Sequence, residues 1–453
     1  MQSYKKQFKD KKITIMGLGI LGRGLGYTKF LAECGADLIV TDLKNKEQLK
    51  TSIKALNKFK NIKFVLGEHR LEDFRNRDMV IKAAGVPLGS LYIKEAQKNN
   101  IPVEMDVSLF IKSAPRIITI GVTGTRGKSM TTTLIYEILK KNEKFFPAVD
   151  GARKRKVYIG GNIRGVATLP LLKQIKENDI LVCELDSWQL QGFGESKISP
   201  NISVFTSFMP DHMNYYKNSM KDYFNDKANI FKYQKKGDIL IVRPHIQKII
   251  PKNIKSKLIV ADVKKVLNFK FKVPGIHQKE NLACAVRVAR LFHIPDVKIK
   301  TVVRKFKGLE GRLQYLKTVK GVKIYNDNNA TTPEATIAGI RALEEENKGG
   351  KIILISGGAD KNLDIDLYLN VINTFCKAII LISGTGTDRM LSSHKLKMDK
   401  VYKVKDLKGA VKEAIKRSKK GDIILFSPAF ASFGMFSNEY ERNDIFMKII
   451  KQI

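Results

Sequence analysis

The sequence predicts an α/β protein of three successive domains: a Rossmann-like unit over residues 1–113, a P-loop-type unit over 114–307 and a second Rossmann-like unit over 308–453. Three observations carry this prediction. A Gly-rich turn joins an apolar strand to a helix at Gly17–Gly22, another does so at Gly124–Ser129, and the last third alternates short apolar strands with helices. At 453 residues the chain exceeds one ordinary domain and can bury several cores.

In the first unit, Ile13, Ile15 and Met16 lead into Gly17-Leu18-Gly19-Ile20-Leu21-Gly22, and a second strand, Asp37 to Val40, ends at Thr41-Asp42. This is GxGxxG with an acidic residue after the next strand. Small residues let a diphosphate approach the helix N-terminus, and Asp42 is placed to accept hydrogen bonds from a ribose or a base. The pattern does not separate NAD from UDP, nor either from a domain that binds nothing there. A strand over Met79–Ala84 precedes Gly85-Val86-Pro87, and the unit closes near residue 113.

In the second unit, Ile117 to Ile120 run into Gly124-Thr125-Arg126-Gly127-Lys128-Ser129, and Leu134, Ile135, Ile138 and Leu139 line one side of the helix that follows. Such a turn aims backbone N–H groups and a helix N-terminus at one spot, where a polyphosphate sits. Lys128 then reaches the β- and γ-phosphates, and the Ser129 hydroxyl ligates Mg²⁺. The strict spacing places glycine where this chain has Val122, and a Gly-rich turn without a ligand is the alternative.

Downstream, Tyr158-Ile159-Gly160-Gly161-Asn162 reads as a turn carrying an amide side chain. Asp179–Glu184 reads as a buried strand ending in a carboxylate, placed either to reach Mg²⁺ or as a surface charge. Asp186-Ser187-Trp188-Gln189-Leu190 holds the only Trp, and a strand over Asn201–Thr206 leads to Met209-Pro210-Asp211-His212-Met213-Asn214. His212 thus lies beyond a strand of the same sheet, where α/β proteins bind ligands. Met220, Tyr223, Phe224, Lys227, Ile230 and Phe231 share helical spacing, which puts Lys227 on the apolar face. A buried lysine has a lowered pKa, and its neutral amine can add CO₂ to form a carbamate, an anionic metal ligand. The alternative is a snorkelling lysine whose head stays wet. Pro274-Gly275-Ile276-His277-Gln278 and Asn281 precede another helix, and Phe306–Arg312 reads as a linker.

The third unit has strands at Val322–Tyr325, Ile352–Ile355, Ala378–Ile382 and Ile423–Phe426. Polar clusters follow three of them: Asn326-Asp327-Asn328-Asn329-Ala330-Thr331, Gly357-Gly358-Ala359-Asp360-Lys361 and Ser427-Pro428-Ala429-Phe430-Ala431-Ser432. Any one is a plain loop by itself; three at corresponding ends of one sheet argue for a site.

The net charge of +38 invites a nucleic-acid reading, but the lysines are scattered and the densest cluster is only Arg153-Lys154-Arg155-Lys156. Without a binding motif or a basic aromatic platform, no nucleic-acid partner is expected; a positive surface speeds capture of anionic nucleotides. No apolar run is long enough for a membrane span, so no membrane insertion is expected. No signal peptide is read, so a cytoplasmic location is expected, with Cys34, Cys183, Cys284 and Cys376 as buried free thiols.

Read together, GLGILG, TGTRGKS, GGNI, ELDSWQL, PDHMNYY, the Lys227 helix, GIHQKEN, GLEGR, NDNNATTP, GGADK and SPAFASF resemble the Mur ligases in order and spacing, over almost the whole chain. The resemblance implies a UDP-binding N-terminal domain, a central ATPase and a mobile C-terminal domain that brings in an amino acid. It implies a monomeric cytoplasmic enzyme of peptidoglycan precursor synthesis that uses ATP and two Mg²⁺ ions to form an amide. The most similar branch of the family joins D-glutamate to UDP-N-acetylmuramoyl-L-alanine.

Carried over by position, Gly124, Thr125, Arg126, Gly127, Lys128, Ser129 and Met130 would contact ATP together with Asn281, Arg312 and Asp327. Ser129 and Glu184 would ligate one Mg²⁺ with help from His212, and carbamylated Lys227 would support the other; Lys128, Glu184, His212 and Lys227 form the implied catalytic set. Gly19, Leu21, Gly22 and Asp42 would face UDP, while Asn162, Ser187 and Gln189 would line the muramoyl side. Thr331, Lys361 and Ser432 would bind the incoming glutamate. Departures concentrate in the last unit: Asn328-Asn329 replaces the usual Ser-Lys, and Gly434, Glu439 and Asn443 replace Asp, Phe and Gly. Gln278 replaces an Asn, and the loop before GGNI is longer and more basic. These leave a different amino acid as the nearest alternative. A diaminopimelate- or lysine-adding ligase would carry a DNPR-like stretch, and a folylpolyglutamate synthase would lack the first domain. A basic P-loop ATPase that binds nucleic acid is the rival from another class.

Overall fold

Parallel strands are covered on both faces, so they are written as near-continuous apolar runs, and this chain has three groups of them. The structure, a computed structural model, describes residues 3–149, 153–346 and 351–453. It divides into two compact units, Met1–Asn268 with Glu280–Val302, and Phe269–Lys279 with Val303–Ile453. The first unit holds two large sheets and the second holds one.

After a short helix, Ser3–Phe8, come β1 (Lys12–Met16), β2 (Asp37–Asp42), β3 (Ile62–Leu66), β4 (Met79–Lys82) and β5 (Val103–Glu104). They form a parallel sheet of order β3-β2-β1-β4-β5. The order reverses at β1, which opens a crevice beyond its C-terminal end. The Gly17–Gly22 loop leaves β1 at that crevice and enters the helix Arg23–Glu33.

The second sheet uses β6 (Ile118–Thr123), β9 (Val157–Gly161), β10 (Ile180–Glu184), β11 (Ile202–Phe205), β12 (Ile239–Val242) and β13 (Lys257–Val260), with a separate antiparallel pair of β7 (Ala148–Val149) and β8 (Arg153–Lys154). Its order is β13-β12-β11-β6-β10-β9, all parallel. The stretch read as a turn at Tyr158–Asn162 is corrected here: Val157–Gly161 is the edge strand β9, and only Asn162 lies beyond it. Two glycines weaken its strand signal, but five residues in register with β10 override that weakness. A shared apolar core joins the first two sheets. Asp106, at the start of the helix Asp106–Ser113, accepts from Thr168 N and Leu169 N, each at 2.8 Å, and Leu21 O accepts from Gly165 N at 3.1 Å.

The second unit carries β14 (Gln314–Val319), β15 (Val322–Asn326), β16 (Ile352–Ser356), β17 (Cys376–Ile382), β18 (Val401–Val404) and β19 (Ile423–Phe426) in the order β14-β15-β19-β16-β17-β18. Only β14 is antiparallel. The centre is buried throughout, as Ile352–Ser356 and Ile423–Phe426 show. Because β15, β19 and β16 are parallel neighbours, the loops that leave their C-terminal ends share one edge. The four cysteines are buried free thiols, and among the described residues no helix is long and apolar enough to cross a membrane.

Candidate functional site

At the end of β6 the chain turns through Gly124–Gly127 into the helix Lys128–Lys141. Gly127 is the N-cap at φ 88°, ψ −10°, it offers no side chain to cap the helix, and the helix N-terminus faces the loop. A Cβ at Gly127 would collide with Asn281 Oδ1. The loop is braced from the β11 side: Thr125 N donates to Ser207 O (2.8 Å), Arg126 N donates to Ser207 Oγ (2.8 Å), and Arg126 Nη1 pairs with Asp211 Oδ2 (2.7 Å). Met130 is buried and Ser129 is half-buried at the helix start.

Two lysines converge on this loop. Lys128 Nζ donates to Gly124 O (2.9 Å) and Thr125 O (3.1 Å), and Lys227 Nζ donates to the same Gly124 O (3.0 Å). Lys227 comes from the helix Met220–Lys232 and is only 1% exposed, so its head is not snorkelling into water. Burial, and then the charge of Lys128, holds its amine well below the usual lysine range. Tyr223, one helical turn earlier, lies with its ring centroid 4.7 Å from Lys227 Nζ.

Glu184 ends β10 and is buried, flanked in register by Val122 and Gly161. Asn162 N donates to Glu184 O at 2.8 Å, which places that amide beside the strand end. Asp186 caps the helix Ser187–Glu195, accepting from Gln189 N at 2.7 Å, and both Ser187 and Gln189 are buried in its first turn. His212 lies against Trp188 with its ring tilted by 49° (4.6 Å between centroids) and 3.7 Å from Asp211 Oδ2. Burial lowers its pKa; Asp211 opposes this while Lys128 and Lys227 add to it. Its backbone is left-handed, at φ 55°.

In the first sheet, Asp42 is committed to its own loop. Its two carboxylate oxygens accept from Gly19 N (2.8 Å) and Lys44 N (2.9 Å). Gly22 is the N-cap of the following helix at φ 86°, ψ −18°, again without a side-chain cap, and Leu21 is partly exposed beside it.

In the second unit the three polar clusters meet. Lys361 Nζ donates to Thr331 Oγ1 (3.3 Å), and Ala359 and Ala431 exchange backbone hydrogen bonds at 2.9 and 3.0 Å, which brings the Lys361 loop beside Ser432. Asp327 accepts from Leu313 N and Ser427 Oγ, each at 2.9 Å, and burial pushes its carboxyl up to about 7. Arg312 lies in a turn closed by its own N–H on Leu309 O, at 3.2 Å. Asn281 belongs to the first unit; Arg312 and Asp327 belong to the second.

Sequence reasoning missed several supporting groups. Arg243, just after β12, is buried; it donates to Asn281 Oδ1 and pairs with Glu280 Oε2 (3.0 Å). A basic residue directly after an apolar strand was the available signal. Arg389 holds the Lys361 loop by bonding both Asp360 oxygens at 3.1 Å and Leu363 O at 2.9 Å. Nothing local to its helix, Thr385–Ser392, announces that role.

Fold and site together define an α/β protein with three strand-end loop clusters. Three family models match in chain order: the Mur ligase MurD-like N-terminal domain over 11–104, the Mur ligase middle domain over 122–264 and the Mur ligase glutamate ligase domain over 311–430. The chain is 34% identical over 469 residues to UDP-N-acetylmuramoylalanine–D-glutamate ligase of Borreliella afzelii, covering 99% of each. It is 30% identical to the enzyme of that name from Clostridioides difficile, covering 95% of this chain and 96% of the other. The chain belongs to the Mur ligase family. Its fold also matches MurF ligase from Thermotoga maritima in complex with ADP (TM-score 0.60, 16% identity, 99% and 96% covered) and MurC from the same organism (TM-score 0.59, 17% identity, 98% and 99% covered).

Proposed function

We propose that this protein is an ATP-dependent ligase that joins D-glutamate to UDP-N-acetylmuramoyl-L-alanine in peptidoglycan precursor synthesis. The observation that carries the reading is the convergence of Lys128 and buried Lys227 on Gly124 O, at the mouth of an uncapped helix. Lys128 places positive charge where a triphosphate and a carboxylate must approach each other, and the buried Lys227 amine beside it, held towards its neutral form, is the group that would carry the carbamate. The names and full-length coverage of the relatives support the substrates.

The chemistry explains the need for such a site. A carboxylate is a poor acyl donor because its leaving group would be oxide. Its oxygen therefore attacks the γ-phosphorus of ATP, the bond to ADP breaks, and an acyl phosphate forms. The amine of the amino acid adds to the acyl carbon, and the tetrahedral intermediate collapses with loss of phosphate. Lys128, the loop N–H groups and the helix N-terminus offset the charge that builds during the first step. In the second unit, Lys361 and Thr331 are paired to receive the amino acid's carboxylate, with Ser432 on the adjoining loop.

Two Mg²⁺ ions fit as nucleotide-borne ions and not as residents of a protein cage. Among the described residues no group of three or more His, Cys, Asp or Glu side chains is arranged to hold a metal. Ser129, Glu184 and His212 would hold one ion, and Lys227 as its carbamate the other, with phosphate oxygens completing each set. The buried amine of Lys227, held in the neutral direction, fits carbamate formation. Bound Mg²⁺ would supply Lewis-acid neutralisation of phosphate charge.

The test is phosphate release from purified protein with ATP, Mg²⁺, UDP-N-acetylmuramoyl-L-alanine and a panel of amino acids. Release is expected to require both the muramoyl nucleotide and D-glutamate, with an acyl phosphate trappable by hydroxylamine when the amino acid is withheld. Release stimulated by RNA or DNA, or no amide with D-glutamate, would overturn the proposal.

A further inference from the structure

Asn328, Glu439 and Asn443 meet in one hydrogen-bonded group within the second unit. Asn328 Nδ2 donates to Glu439 O (2.9 Å), and Asn328 N donates to Asn326 Oδ1 (3.0 Å). Asn326 Nδ2 donates to Asn443 Oδ1 (2.8 Å), and Asn443 Nδ2 donates to Glu310 Oε1. Asn443 is 5% exposed, in the first part of the helix Glu439–Lys451, whereas Glu310 is the exposed residue of the turn that carries Arg312. The same turn is held once more, by Asn329 N on Gly311 O at 2.9 Å. A glycine at 443 could make neither side-chain bond.

We infer that Asn443 is a positioning residue for nucleotide binding: its amide ties the Glu310–Arg312 turn to the Asn326–Asn329 loop and so fixes the direction in which Arg312 is presented. This rests on the reading of Arg312 as an ATP contact. The physical basis is the polarity of the amide. Its oxygen is committed to Asn326 and its N–H to a carboxylate, a charge-assisted bond that also orients Glu310. The tie joins the turn ahead of β14 to the loop after β15, so the nucleotide side and the amino-acid side of this sheet edge share one bonded chain.

The test exploits that polarity. Asn443→Asp keeps the acceptor for Asn326 but faces Glu310 with a second carboxylate. The ATP KM is expected to rise about tenfold, the scale of a charged hydrogen bond turned into a repulsion, with kcat and the muramoyl-nucleotide KM unchanged. Adding Glu310→Gln restores a donor on the other side, and the double variant is expected to return to within about threefold of wild type. Glu310→Ala, at an exposed position, gives the same direction should Asn443→Asp fold poorly. A wild-type ATP KM in folded Asn443→Asp and in Glu310→Ala would overturn the inference, as would a double variant no better than the single. Arg312→Ala separates the two layers: if it leaves the ATP KM unchanged, the reading of Arg312 is wrong, whereas a raised KM there with unaffected Asn443 and Glu310 variants defeats the tie alone.

Discussion

The two Gly-rich loops of the first unit have the same N-cap and opposite surroundings. Gly22 and Gly127 sit at φ 86° and 88°, both cap a helix without a side-chain partner, and both follow the strand at which the sheet order reverses. Around the first loop a carboxylate supplies the bracing: Asp42 takes Gly19 N and Lys44 N. Around the second, Ser207 braces the backbone while Asp211 pairs with the Arg126 side chain, and two lysines point at one carbonyl. A carboxylate beside the first loop suits a ligand that offers hydroxyl donors. Lys128 beside the second suits a group that gains negative charge in the reaction. The backbone device is common to both, and the charge around it assigns the work.

The sharpest break in the comparison is Lys227→Ala. Phosphate release is expected to fall by at least about 100-fold, because the carbamate that would support the second Mg²⁺ is lost. Bicarbonate should not rescue it, short carboxylic acids should do so partially, and near-normal activity would remove Lys227 from the chemistry. Next come matched glycine substitutions. Gly127→Ala and Gly22→Ala each incur about 1–2 kcal/mol of left-handed strain, and the first also collides with Asn281. Titrations should show ATP affinity lost about 30-fold or more in Gly127→Ala, and muramoyl-nucleotide affinity lost about tenfold, with ATP spared, in Gly22→Ala. If both variants weaken ATP equally, the division of labour is wrong.

Asp42→Asn is gentler. One oxygen becomes a donor facing a backbone N–H, and a loss of about 1–2 kcal/mol in thermal or denaturant unfolding is expected, with a higher muramoyl-nucleotide KM and an unchanged ATP KM. The smallest effect concerns Asp327, a third strand-end carboxylate. Its folded pKa is raised to about 7 by burial. The folded state therefore binds a proton that the unfolded chain has released, and this stabilisation is full below the ordinary carboxylate range and is lost as pH rises through about 7. Asp327→Asn should flatten the fall in melting temperature between pH 5.5 and 8 by a few degrees (about 2–4 °C). An unchanged slope would mean that the carboxyl titrates normally.

Much of this was legible in order along the chain. The two turns are local devices, since glycine conformations, helix starts and flanking strands lie within a dozen residues or so. Lys227 could be placed on an apolar face by helical spacing, but not told from a snorkelling lysine; only the packed structure buries its amine. The strand Val157–Gly161 was read as a turn because its glycines speak louder locally than its pairing with Ile180–Glu184. Arg243 and Arg389 stayed invisible because their partners come from distant segments. The departure at Asn328 looked like a change in a ligand pocket, yet its side chain is fully buried and occupied by Asn329, Glu439 and Arg442.

The sequence by itself determined the three α/β sheets' core strands, the two phosphate-type loops and the kinship to amide-forming ligases, because those depend on short-range periodicity and turn chemistry. Tertiary structure alone decided which charges meet: that Lys128 and Lys227 share a carbonyl, that Asp42 serves its own loop, and that Asn443 reaches Glu310. Charge pairing acts through space over a few ångströms, and the segments concerned lie up to a hundred residues or more apart in the chain.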